Sequence, residues 1–85
     1  MARQYHELKI LPKYYRAIEK GLKTFEVRFN DRNFQVGDML ELKEWFGSEY
    51  SGRYINAEVI YLLDDPQYCK EGYVILGIKV ENVFN

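Results

Sequence analysis

A short segment of this 85-residue chain combines residue types that could bind a polar ligand. Residues 21–28 read GLKTFEVR. Because side chains alternate along a strand, Thr24, Glu26 and Arg28 would project from one face, directly after a glycine that lets the backbone turn. At the mouth of a barrel, the Glu26 carboxylate could accept a hydrogen bond from a base or an amine, and the Arg28 guanidinium could bind a phosphate or a carboxylate. A solvated strand face with an exposed Glu26–Arg28 pair is the alternative.

Glu44 is a second acidic candidate. It follows Leu40 and Leu42 at a spacing of two, so the alternation aims its carboxylate toward the core. A carboxylate that leaves water needs a cation or several donors, and we expect Lys23 or Arg28 to hold it at the floor of the site. If the strand ends or bulges before Glu44, the side chain instead turns outward.

Residues 50–53 read YSGR and are predicted to form a polar turn. Tyr50 could stack on a base, and Arg53 could bind a phosphate, with the Ser51 hydroxyl between them. An ordinary hairpin would use the same residues. His6 lies on the face of Leu8 and is interpreted as a hydrogen-bonded rim residue more readily than as a catalyst.

Metal and cofactor chemistry find no support in the sequence. One histidine and one cysteine, far apart, cannot supply the usual nitrogen and sulfur ligands, so no metal site is expected. No glycine-rich phosphate loop and no Ser-His-Asp arrangement are visible, and no cofactor is expected. We interpret Cys69 as a bystander thiol.

Composition indicates one small domain spanning residues 1–85. Apolar types make up 47% of the chain and the net charge is -1. Residues 1–32 carry eight basic and four acidic side chains, whereas residues 33–85 carry four and nine, which suggests a basic surface for a polyanion. The single cysteine and the short apolar runs predict a soluble, cytoplasmic protein with no membrane contact.

The elements that must position these residues follow from the periodicity. Five strands are predicted over residues 6–11, 24–30, 39–45, 53–63 and 73–80, with one helix after Pro12 that ends near Gly21. In the long fourth strand, alternation places Ile55, Ala57, Val59, Tyr61 and Leu63 on one face. The fold class is α+β, mainly β: an open five-stranded β-barrel with the early helix plugging one end.

Gly21, Lys23, Glu26 and Arg28 match the G-x-K-x-x-E-x-R motif at all four positions, and the chain therefore resembles the ASCH domains, relatives of the PUA RNA-binding fold. Further segments resemble the small DUF3850 branch: HELKI at 6–10, NDRxFxVGD at 30–38, YSGR at 50–53 and GYVILGI at 72–78. The resemblance covers nearly the whole chain. It implies a PUA-like barrel whose cleft, lined by the motif strand, binds RNA or a nucleotide-like ligand.

Three functions remain open. The first is a module that binds RNA or a nucleotide through Lys9, Lys23, Thr24, Glu26, Arg28, Arg32, Tyr50, Ser51 and Arg53. The second is an amidohydrolase acting on an acylated nucleoside such as N4-acetylcytidine, as the resemblance to some ASCH relatives implies. Lys23 and Glu26 or Glu44 would then be the acid–base pair, although Glu26 stands where those relatives place a threonine. The third is a protein-interaction domain, with a homodimer among its forms.

If Thr24, Glu26 and Arg28 form an exposed strand face, a substitution at Arg28 should have little effect on the stability of the fold. If Arg28 is an exposed strand residue, reversing its charge weakens ligand binding and leaves folding nearly intact, because exposed substitutions change stability little.

Overall fold

The computed structural model describes residues 3–85, which form one helix and one five-stranded sheet. The elements in chain order are β1 (Tyr5–Ile10), α1 (Pro12–Glu19), β2 (Phe25–Phe29), β3 (Met39–Trp45), β4 (Tyr50–Leu63) and β5 (Tyr73–Phe84). The helix begins with proline at its first turn, where a missing N–H is tolerated, and is followed by Gly21 at a φ of 75°. No helix within residues 3–85 is long and apolar enough to cross a membrane.

The strands are arranged in the order β1-β3-β4-β5-β2. β1 and β3 run parallel, and the other neighbouring pairs run antiparallel. Alternate residues of the strands, such as Leu40, Leu42 and Ile55, point into one core, to which the helix contributes Tyr15 and Ile18. The predicted class, mainly β with a five-stranded open barrel and one early helix, is confirmed.

Two details of the strands differ from the prediction. The register of β4 against β5 shifts between Val59 and Tyr61, and such a bulge exchanges the inward and outward faces. Tyr61 is therefore 64% exposed instead of inward, and Leu62 packs against the core. β4 also begins at Tyr50, so the predicted turn at residues 50–53 is strand, and the hairpin turn precedes it.

The barrel is open between its two edge strands, β1 and β2, and arginine side chains span this opening. Arg28 donates from Nη2 to the carbonyl oxygen of Lys9 at 2.8 Å, and Arg32 donates from Nη1 to the carbonyl oxygen of Glu7 at 2.7 Å. Edge carbonyls that a sixth strand would otherwise bind thus receive donors from side chains.

A buried His6–Asp38 pair connects β1 to the segment that precedes β3. The two side chains lie 2.8 Å apart, from Nε2 to Oδ2, and both are almost fully buried. Burial by itself raises the pKa of Asp38, but the hydrogen bond from His6 and those from the backbone amides of Gln4 and Gln35 outweigh it and lower the pKa. This arrangement makes His6 a buried structural residue, with its ring edge against Phe34.

We expect Asp38→Asn to lower the free energy of unfolding by about 1–3 kcal/mol at neutral pH, because a buried acceptor is lost. Since folding lowers the pKa of Asp38, its ionised form adds stability above the ordinary value of 3.8 and loses it as the pH falls below that value. The difference between wild type and variant should therefore shrink between about pH 5 and about pH 2. Denaturant unfolding across this range is the measurement. If the difference in unfolding free energy between wild type and Asp38→Asn stays constant with pH, Asp38 is not stabilised in its ionised form by His6 and the backbone amides.

Candidate functional site

A cleft of about 460 Å³ lies at the barrel opening. β1, the start of α1 and the segment that carries β2 form its walls. Its lining includes three cations, one carboxylate and two aromatic rings: Lys9, Lys23, Arg28, Glu26, Tyr14 and Phe25. The cleft thus brings four of the predicted binding residues together.

Glu26 is the buried centre of the cleft. It is 4% exposed, and both of its oxygens are engaged. Arg28 donates to Oε1 from Nε at 3.0 Å and from Nη2 at 2.7 Å, while the Lys23 ammonium donates to Oε2. Because β2 alternates, Glu26 and Arg28 share the inward face and the flanking Phe25 and Val27 face outward. The alternative of a solvated Glu26–Arg28 pair is therefore wrong.

This network changes the role predicted for two residues. Glu26 has its carboxylate occupied by two cations, so in this arrangement it orients Lys23 and Arg28 instead of offering open oxygens to a base amine. Arg28 is only 23% exposed in its side chain and joins β2 to Lys9 of β1. Its charge reversal would place a second carboxylate beside Glu26, so the expectation that folding stays nearly intact does not fit this site.

The cations retain donors that can reach a ligand. Nη1 of Arg28 has no hydrogen-bond partner among residues 3–85. Lys23 donates to Glu26 and, at 2.6 Å, to the carbonyl oxygen of Phe25, which leaves one of its three N–H groups. The Lys23 ammonium also lies 4.9 Å from the centroid of the Phe25 ring and 5.4 Å from that of Tyr14. The cleft therefore combines cationic donors with aromatic walls.

The backbone of β2 adds a further polar edge. The Ile78 N–H donates to the Thr24 carbonyl, which places Thr24 opposite Ile78 on β5. Glu26, two residues later, lies opposite Leu76 and likewise directs its backbone groups toward β5. In an antiparallel ladder, the intervening residues direct their N–H and C=O groups away from the partner strand. For Val27 this direction is toward the barrel opening, where it lines the cleft.

Glu44 belongs to a different group of side chains. It is fully buried, as its strand parity predicts, but its partner is Arg53, so the prediction of Lys23 or Arg28 is wrong. Arg53 donates from Nε to Oε1 at 2.9 Å and from Nη2 to Oε2 at 3.0 Å. This bidentate contact raises the pKa of Arg53. The guanidinium also lies 5.2 Å from the centroid of the Tyr15 ring.

Arg53 also lines a second hollow, of about 270 Å³, formed by residues of β3 and β4. Tyr50, Lys43 and Tyr54 line it together with Arg53. The Ser51 hydroxyl accepts a hydrogen bond from the Arg53 backbone N–H at 3.0 Å, so it shapes the strand locally.

The chain matches a family model described as a domain of unknown function, DUF3850, over residues 5–78. The chain belongs to the DUF3850 family. It is also similar to an uncharacterized 12.9 kDa protein in the GpA 3'region of Escherichia phage P2. The two are 36% identical over 76 residues, which cover 89% of this chain and 69% of the phage protein.

In this DUF3850 chain the predicted site residues separate into two groups and two outliers. Lys9, Lys23, Glu26 and Arg28 line the cleft, and Tyr50, Ser51, Arg53 and Glu44 belong to the second hollow or its support. Thr24 is exposed and lies outside the lining of the cleft, and Arg32 binds the edge carbonyl of Glu7. Residues 3–85 contain no cluster of three His, Cys, Asp or Glu side chains that could hold a metal ion.

Sequence reasoning missed the walls of the DUF3850 cleft. Tyr14, Phe25 and Val27 were not among the predicted site residues, yet they line the opening with the cations. For Tyr14 a signal existed, because the first turn of a helix that directly follows an edge strand must lie beside that edge. The missed partner of His6, Asp38, carried no such signal.

We expect Arg28→Met to lower the free energy of unfolding by about 2 kcal/mol, because Glu26 stays buried with one cation fewer. Arg32→Met is the matched control: it removes the same charge and a bond to a neighbouring edge carbonyl, but no buried carboxylate depends on Arg32. Arg32→Met should lower the free energy of unfolding by only about 0.5 kcal/mol. Denaturant unfolding of both variants measures the difference. Equal losses of unfolding free energy in the two variants would contradict the central role of Glu26.

Proposed function

We propose that this protein binds a nucleotide, free or within RNA, in the cleft at the barrel opening. The observation that carries the proposal is the placement of Lys23 and Arg28 around one buried carboxylate, in a cleft that Lys9 and the rings of Tyr14 and Phe25 also line. Three cations against one anion give the cleft a positive charge that suits phosphate. The resemblance of the motif to ASCH domains, with their PUA-like barrel, supports the same ligand class.

The aromatic walls favour a nucleotide over a simple inorganic anion. Rings stack on bases regardless of sequence, and the Val27 backbone can offer a donor and an acceptor to the edge of a planar base. The volume of about 460 Å³ lies within the range of small-molecule sites. Phosphate binding by the cations and stacking by the rings would therefore act on two parts of one ligand.

Glu26 contributes to binding indirectly in this proposal. A flexible lysine loses side-chain entropy when a ligand orders it. Because Glu26 already holds Lys23 and Arg28, less ordering remains to occur on binding, which favours affinity.

Lys9 provides the clearest test, since its side chain is not bound to Glu26. We expect Lys9→Gln to weaken the binding of cytidine 5′-monophosphate about fivefold or more, because a charged phosphate contact is lost. Lys79→Gln is the matched control, since it makes the same charge change at an exposed strand residue outside the cleft. Isothermal titration with the monophosphate and with cytidine, which lacks the phosphate, separates the two contributions. Equal affinities for the two ligands, or equal effects of the two variants, would contradict the proposal.

The contact between Lys23 and Glu26 supports a second candidate, hydrolysis of an acylated cytidine, because an ammonium and a carboxylate in contact could exchange a proton. Water would add to the amide carbonyl, and the C–N bond would break to give acetate and cytidine. We expect no turnover of N4-acetylcytidine, because Glu26 is held by two cations and Thr24 lies outside the cleft. Chromatography of the incubated nucleoside is the measurement. Hydrolysis that Glu26→Gln abolishes would favour this candidate over simple binding.

A further inference from the structure

A continuous series of contacts joins the cleft to the second hollow. Lys9 is one of the residues that line the cleft, and its ammonium lies 4.2 Å from the centroid of the Trp45 ring. Trp45 packs edge-on against Tyr50, with 4.8 Å between the ring centroids, and Tyr50 lines the second hollow. We call Lys9, Trp45 and Tyr50 the connecting row. It crosses the outer face of the sheet from β1 through β3 to β4.

The second hollow has the chemistry of a nucleotide subsite. Tyr50 is 48% exposed and Tyr54 is half-buried, so both offer ring surface for stacking. Lys43 supplies a cation at the same hollow, and Arg53, whose guanidinium is held by the bidentate contact with Glu44, also lines it. Exposed aromatic rings with neighbouring cations are the arrangement that binds single-stranded nucleic acid.

We propose that the ligand is a single-stranded oligonucleotide that occupies the cleft with one nucleotide, follows the connecting row and places a later nucleotide in the second hollow. This inference rests on the proposed function, because it extends the occupant of the cleft. A single strand is favoured over a duplex, since stacking on Tyr50 and Trp45 requires unpaired base faces.

Acidic residues at the second hollow modulate this binding. Glu7 accepts a hydrogen bond from Lys43 at 3.1 Å, and Glu41 lines the hollow. The Glu7–Lys43 pair is largely exposed, with 69% of the Glu7 side chain accessible, and such pairs are weak in water. A phosphate can therefore compete for Lys43, and removal of Glu7 should strengthen binding.

The first experiment compares a pentamer of cytidylate, as RNA and as DNA, with cytidine 5′-monophosphate. We expect either pentamer to bind about tenfold tighter than the monophosphate, and the difference between the pentamers identifies the preferred sugar. Tyr50→Ala should weaken pentamer binding about fivefold or more and change monophosphate binding less than about twofold. Tyr61→Ala is the matched control, since Tyr61 is an exposed tyrosine of the same strand outside the second hollow.

The second experiment removes a negative charge beside Lys43 and measures whether pentamer binding becomes tighter. Glu7→Gln should strengthen pentamer binding about twofold or more by releasing Lys43, whereas Glu71→Gln, at an exposed loop residue, should give a smaller gain. Circular dichroism and unfolding curves of each variant confirm that the fold is retained. A gain for Glu7→Gln that matches the gain for Glu71→Gln would overturn the role assigned to Lys43.

The outcomes separate this inference from the proposed function. If the monophosphate binds in a Lys9-dependent way and neither pentamer binds tighter, the second subsite is overturned and the cleft remains. If Tyr50→Ala and Tyr61→Ala have equal effects on pentamer binding, the path through the connecting row is overturned. If neither the monophosphate nor a pentamer binds, the proposed function and this inference both fall.

Discussion

The barrel opening depends on one buried carboxylate. Glu26 lies on the inward face of an edge strand, where leaving water would be costly without cations, and Lys23 and Arg28 supply them. Arg28 also reaches the Lys9 carbonyl across the opening, so the same guanidinium satisfies a buried charge and an edge strand. The interaction that holds the two edges at a fixed distance therefore also orients the cations of the cleft. Stability and the proposed ligand recognition share these side chains.

The interior of this small barrel holds its buried acidic groups in separate clusters, each with its own basic side chains. Glu26, Glu44 and Asp38 are all buried, and no two of them share a basic partner: Glu26 contacts Lys23 and Arg28, Glu44 contacts Arg53, and Asp38 contacts His6. Within residues 3–85, no buried side-chain nitrogen or oxygen lacks a hydrogen-bond partner. Such complete pairing limits the cost of burying charge, although hydrophobic side chains of similar volume could stabilise a core equally well. The clusters fix the positions of Arg28 and Arg53 at the two hollows.

The sequence predicted the parts of the site that depend on local alternation. Parity placed Glu44 inward and set Glu26 and Arg28 on one face, and both inferences are confirmed. It could not predict the partner of Glu44, because Arg53 reaches it only through the register between β3 and β4. It also failed at Tyr61, since a bulge that exchanges the two faces leaves no mark in the alternation itself. Local spacing therefore fixes which face a residue occupies, whereas long-range register fixes what it meets there.

The arginine contacts along β1 have a consequence for self-association. An uncovered edge strand is a template on which another chain can form a β-ladder, and this is a common start of aggregation. Arg28 and Arg32 bind alternate carbonyls of that edge with bulky, charged groups. An incoming β-strand would have to displace both guanidinium groups and leave their charges without these partners. A closed barrel would remove the hazard by pairing the edges, at the cost of the cleft. Side-chain protection leaves the cleft open while it resists intermolecular strand pairing.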